Sequence, residues 1–168
     1  MTQDDKDSFR LVHKRIIEGW GHPQHFLELD LPDWYGFALG DIALVVGDDE
    51  IVYTDAAASD AESEEPHTAE IAVFTNSLLI HVKAEKREDG DSRTTTVISR
   101  STLSRLQVHT GTSATETRID ARWPGHVRLE LDYDDGPKLR LPLGRYVNRN
   151  HSDRLAKFFP SLREDLLR

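Results

Sequence analysis

The stretch Ile71–Val108, IAVFTNSLLIHVKAEKREDGDSRTTTVISRSTLSRLQV, decides the fold class. Its β-branched and apolar residues come in short runs, broken by Asn76-Ser77 and by the polar, glycine-bearing loop Arg87–Ser92. Short runs bounded by turn residues read as strands of a meander. Strands are expected over Ala69–Thr75, Leu78–Lys86, Arg93–Arg100 and Leu103–His109. The third is Thr- and Val-rich and suits an exposed face.

The pattern continues towards the C-terminus. Thr110–Ala114 turns, and Thr115–Trp123 alternates through Thr117, Ile119 and Ala121. After the Pro124-Gly125 turn, Val127, Leu129, Leu131 and Tyr133 alternate without a break. Asp134-Asp135-Gly136-Pro137 turns again, and Leu139, Leu141 and Leu143 follow at the same period. Ser152 or Asn150 then caps a terminal helix with Leu155, Phe158, Phe159, Leu162 and Leu166 on one face. Pro160 inside that pattern predicts a kink or restart near Phe159.

Upstream the signals change. Phe9, Val12, Ile16 and Trp20 recur at helical steps, so a helix from Asp7 or Ser8 to about Gly19 is expected. Trp20–Gly40 is irregular and aromatic, with a short alternating strand at Leu27, Leu29 and Leu31. Ile42–Val46 reads as a buried strand, Gly47-Asp48-Asp49 as a turn and Ile51–Thr54 as the returning strand. Asp55–Pro66 is small, acidic and without large apolar residues, which reads as a mobile loop.

Composition narrows the function classes. Of 168 residues, 38% are hydrophobic and 30% charged, as in an ordinary soluble globule. The longest apolar run, Ile42–Val46, is too short to cross a bilayer, so no membrane insertion is expected. The acidic N-terminus lacks the basic start and apolar stretch of a signal peptide, so a cytoplasmic location is expected. Without cysteine there is no disulfide, thiolate nucleophile or Cys-ligated zinc. The net charge of −9 opposes nucleic-acid binding. It is uneven: residues 1–66 hold 16 Asp and Glu against 4 Lys and Arg, while the remainder holds 14 against 17.

An up-and-down meander followed by one amphipathic helix resembles the pleckstrin-homology-like superfold, in its bacterial PH-like and GRAM-like form. Thr75, Asn76 and Leu79 fit its Thr-(Asp/Asn)-x-x-Leu hairpin, and Leu103 and Leu106 fit the apolar pair of its second element. The resemblance covers about residues 40–168 as a pattern and, in its letters, only the two phrases AVFTNSLLIHV from Ala72 and TTVISRSTLSRLQV to Val108. It implies a mainly β fold: a curved antiparallel sheet or partly open β-barrel at residues 41–168, capped by a C-terminal α-helix. Residues 1–40 would add an N-terminal helix and an aromatic cover. Phosphoinositide-binding members carry basic residues at the first hairpin. Here that stretch, read as VVGDDEIVY, is acidic, which argues against a lipid headgroup.

Three side-chain groups are candidates for chemistry. Trp20, Phe26, Trp34, Tyr35 and Phe37 could form a ligand or partner patch, or cover one face of the core. Lys138, Arg140, Arg145 and Arg149, with Arg154 beyond, could hold an anion, or Lys138 and Arg140 could pair across strands with Glu130 and Asp132. His22 and His25, with Glu28 or Asp30, could hold zinc, but Pro23 between them disfavours a regular ligand face, so no metal and no cofactor is assigned. No nucleophile elbow, phosphate loop or dinucleotide fingerprint is present. The expectation is a non-enzymatic binding or scaffolding module with a protein or peptide partner, able to self-associate through the open edge at Arg93–Arg100. The alternative is a small-molecule carrier or sensor whose apolar pocket is covered by the aromatic segment.

Overall fold

The structure is a computed structural model that describes residues 3–20, 33–58, 68–85, 90–115, 124–144 and 149–168. It is mainly β, with seven strands and three α-helices in these segments. The chain divides into two compact units, Met1–Ser99 and Arg100–Arg168. Among the described residues the strands form two separate antiparallel sheets and no closed barrel.

In the first unit, helix α1 spans Gln3–Gly19 and starts before the expected Asp7 or Ser8. Its Val12 and Ile16 are buried, as their helical spacing predicts. Helix α2 spans Asp33–Val46, and here the sequence reading is corrected: Ile42–Val46 is helical, not a strand. A short apolar run suits a buried helix as well as a buried strand, because period alone cannot separate them. Trp34, Tyr35, Ala38, Ile42 and Val46 show the helical period and are all buried. Gly47, at φ 51°, ends the helix and donates to Ala43 O at 3.0 Å. It is a helix terminator rather than a hairpin turn. The acidic VVGDDEIVY stretch is therefore the end of a helix and the start of a strand, and says nothing about a first hairpin.

Strands β1 (Ile51–Ala58), β2 (Thr68–Thr75), β3 (Leu78–Glu85) and β4 (Ser92–Ser99) pair in sequence order. β1 runs four residues past the expected Thr54, into the segment read as a loop. Its alanines are small, and Ala56 bridges Trp20 at the end of α1. Residues 59–67 and the alternating leucines at Leu27–Leu31 lie outside the described residues. The β2–β3 turn forms where Thr75-Asn76 predicts it: Thr75 Oγ1 accepts from the amides of Ser77 (3.3 Å) and Leu78 (3.0 Å). Ile71, Val73, Ile80 and Val82 share one face and form a core with α1 and α2. Each such side chain contributes about 2 kcal/mol through burial.

In the second unit a 3₁₀ turn, Arg100–Thr102, leads into β5 (Leu103–Thr110). β6 (Val127–Tyr133) and β7 (Lys138–Leu141) complete a three-stranded sheet in the order β5-β6-β7. Val127, Leu129, Leu131 and Tyr133 are buried, so the alternation read from sequence is the inward face. The expected strand at Thr115–Trp123 lies outside the described residues, apart from Thr115 in a turn. Helix α3 spans Arg149–Asp165 as one element with Pro160 inside it, so no restart occurs at Phe159. Ser152, expected as a cap, lies inside the helix and is buried.

Candidate functional site

The aromatic group separates by burial. Trp20, Trp34 and Tyr35 are core residues. The Tyr35 hydroxyl shares a 2.8 Å hydrogen bond with His13 Nδ1, which ties α2 to α1, and burial raises its pKa above the usual phenol value. Phe26 lies outside the described residues. Phe37 differs: it is 66% exposed on α2. The Arg93 guanidinium of β4 sits 5.2 Å from its ring centroid. Arg93 Nε pairs with Asp41 at 2.9 Å, and Thr95 Oγ1 donates to Asp41 at 2.7 Å. Phe37 therefore lies beside β4. Leu44, two turns further along α2, is 85% exposed on the same stripe. Between Phe37 and Leu44, an added Cβ at Gly40 would meet nothing within 4 Å, while Asp41 carries the contacts to Arg93 and Thr95.

The basic group forms a ladder on the outer face of β5-β6-β7. Arg140 reaches Glu130 at 2.7 Å, while Arg105 and Lys138 stand 3.9 and 4.0 Å from Asp132. With its amide oriented to satisfy both neighbours, Gln107 donates to Glu130 at 3.0 Å and accepts from Arg105 Nε at 3.1 Å. These residues line an open depression of about 440 Å³. Its three cations face two carboxylates, so most of the basic charge is answered within the sheet. Arg145 and the Arg149 side chain lie outside the described residues.

Two polar clusters went unread in the sequence. The first joins Arg100 to Asp165, 65 positions apart. The Arg100 side chain is 2% exposed. Its Nε donates to Asp165 Oδ2 at 2.8 Å, Nη2 donates to Ser161 Oγ at 2.6 Å, and the guanidinium stands 5.3 Å from the Phe158 ring centroid. Burial raises the Asp165 pKa and the Arg100 charge opposes that rise. Burial, with the Asp165 charge, also raises the Tyr133 hydroxyl. The second cluster links Glu70 of β2 to buried His81 of β3 at 2.5 Å, with Lys83 at 3.8 Å. Burial pushes the Glu70 carboxyl up, but the hydrogen bond and charge of His81, helped by Lys83, leave it below the usual carboxylate range. No local motif marks either cluster, because each is assembled by tertiary or cross-strand register.

Among the described residues no group of three His, Asp or Glu side chains is placed to hold a metal ion. His22, His25, Glu28 and Asp30 lie outside them. No helix of the described residues is long and apolar enough to cross a membrane. No protein-family model, curated protein or solved structure matches this chain.

Proposed function

We propose that the chain is a non-enzymatic binding or scaffolding module with a PH-like arrangement, acting through protein–protein contact. The observation that carries this reading is the contrast in how side chains are used. The charged clusters described above are engaged in pairs, whereas Phe37 and Leu44 stay exposed along one helix. Two large apolar side chains exposed two turns apart on one helix suit a protein partner. The strand meander followed by α3 supports the PH-like part of the reading, since the resemblance implies that order. A fold alone names no partner.

A native mass spectrum of the full chain, with a denatured spectrum alongside, tests the reading. Binding of another protein chain, with no small molecule retained, is the expected result. An adduct of a few hundred daltons, lost on denaturation, would replace the module with the small-molecule carrier.

A further inference from the structure

Soluble proteins blunt the free edges of their sheets, because unpaired backbone groups recruit other strands. Three of the four terminal strands here are blunted. β1 is covered by the end of α1: Trp20 bridges Ala56, and Thr54 Oγ1 donates to Arg15 O at 2.5 Å. β7 has only four residues, carries Lys138 and Arg140, and lies between Pro137 and Pro142. β5 carries Arg105 and His109 and has a register irregularity between Leu103 and Arg105.

Among the described residues β4 has the least of this protection. It is eight residues long, without proline, and pairs with β3 in unbroken register from Ser92 to Ser99. Thr94 to Ile98 are five consecutive β-branched residues. Its one charged residue, Arg93, is turned to Asp41 of its own α2. Among the described residues no strand pairs with its other side.

We infer that β4 is a docking edge for a second copy of this chain, joining two four-stranded sheets into one antiparallel sheet with the outer stripe of α2 beside the two-fold axis. This rests on the binding-module reading and names its partner. Opposed residues in an antiparallel pair of identical strands must share parity, so the pairing is centred on Thr95 or Thr96. Either centre sets Arg93 opposite Val97 or Ser99 of the other copy, never opposite another Arg93. A net charge of −9 sets a condition on this pairing. Two such chains repel, and close contact is favoured where the surface is locally neutral, as it is where Asp41 cancels Arg93. The same symmetry keeps equivalent sheet faces on one side. It brings together both α2 helices, with Phe37, Leu44 and exposed Val97 near the axis. A peptide strand alone would pair with β4 and leave that stripe bare.

Sedimentation velocity of the full chain, from about 1 to about 100 µM, tests the inference. The wild type should form a dimer. Two variants should each weaken it at least about tenfold: Thr94→Lys with Thr96→Lys, which places like charges at the new seam, and Leu44→Glu on the helix stripe. These positions are exposed, so thermal unfolding of the two variants at low concentration should match the wild type. The double lysine variant lowers the net negative charge, so its loss of dimer cannot come from overall repulsion. A wild type that stays monomeric, or a dimer insensitive to both variants, overturns the inference. A monomer that binds a different protein overturns it but leaves the module reading standing, whereas a monomer carrying a small molecule overturns both.

Discussion

The two ends of the four-stranded sheet are treated in opposite ways. At β1 the end of α1 lies against the strand, and Gly19 fits because an added Cβ would stand 2.7 Å from Thr54 O. At β4 the same sheet ends in a β-branched strand with which, among the described residues, no further strand pairs. One edge is held by a helix end, whereas beside the other exposed Phe37 and Val97 stand next to the Arg93–Asp41 pair. The second unit repeats the contrast with charge. Arg100 is sealed among Asp165, Ser161 and Phe158, while Arg140 stands in solvent against Glu130.

The largest effect is expected where a sealed group loses its partner. Arg100→Ala leaves the buried Asp165 carboxylate with only Arg168, 3.9 Å away, and should cost about 3–5 kcal/mol in denaturant titrations. A loss below about 1 kcal/mol would mean that Arg100 is not sealed at all. Next comes the covered edge. Gly19→Ala pushes a methyl into the Thr54 carbonyl and should cost about 1–3 kcal/mol, because backbone must shift to admit it. An unchanged melting temperature would show that α1 does not hold β1 closely.

Glu70 gives a pH test inside the sheet. Its folded pKa lies below the unfolded value, so its contribution is present above the unfolded pKa and is lost as pH falls through the folded one. Stability should therefore decline from about pH 5 downwards, and Glu70→Gln should flatten that slope. An equally steep decline in the variant would assign the acid sensitivity to other carboxylates. The smallest effect is expected at the open ladder. Arg140→Ala should change stability by about 1 kcal/mol or less. Sulfate at tens of millimolar should raise the melting temperature little, because Glu130 and Asp132 already occupy the cations. A strong rise lost in Arg140→Ala would restore the anion-site reading.

The sequence announces local features and conceals the juxtapositions. The Thr75-Asn76 hairpin and the alternation from Val127 to Leu141 were legible because turn chemistry and period 2 are local signals. Helix α2 was not: its short apolar run matches either a strand or a helix until Gly47 is seen to terminate it. The alanines of β1 looked like loop because small side chains bury little surface, yet they allow Trp20 to approach. The aromatic group was visible as a composition bias, but its division into core Trp34 and Tyr35 and exposed Phe37 depends on helix phase. The Arg100–Asp165 pair was invisible, since nothing local links residues 65 positions apart. β4 was marked as an edge by its threonines. Its weaker protection emerges only beside the guarded strands.

The most direct measurement is amide hydrogen exchange of the full chain at about 1 and about 100 µM, read for the residues of β4. The account predicts that amides within Thr94–Ile98 exchange more slowly at the higher concentration, and that the double lysine variant loses this dependence. Exchange in β4 that ignores concentration while another segment becomes protected would contradict the claim that this edge is the docking surface.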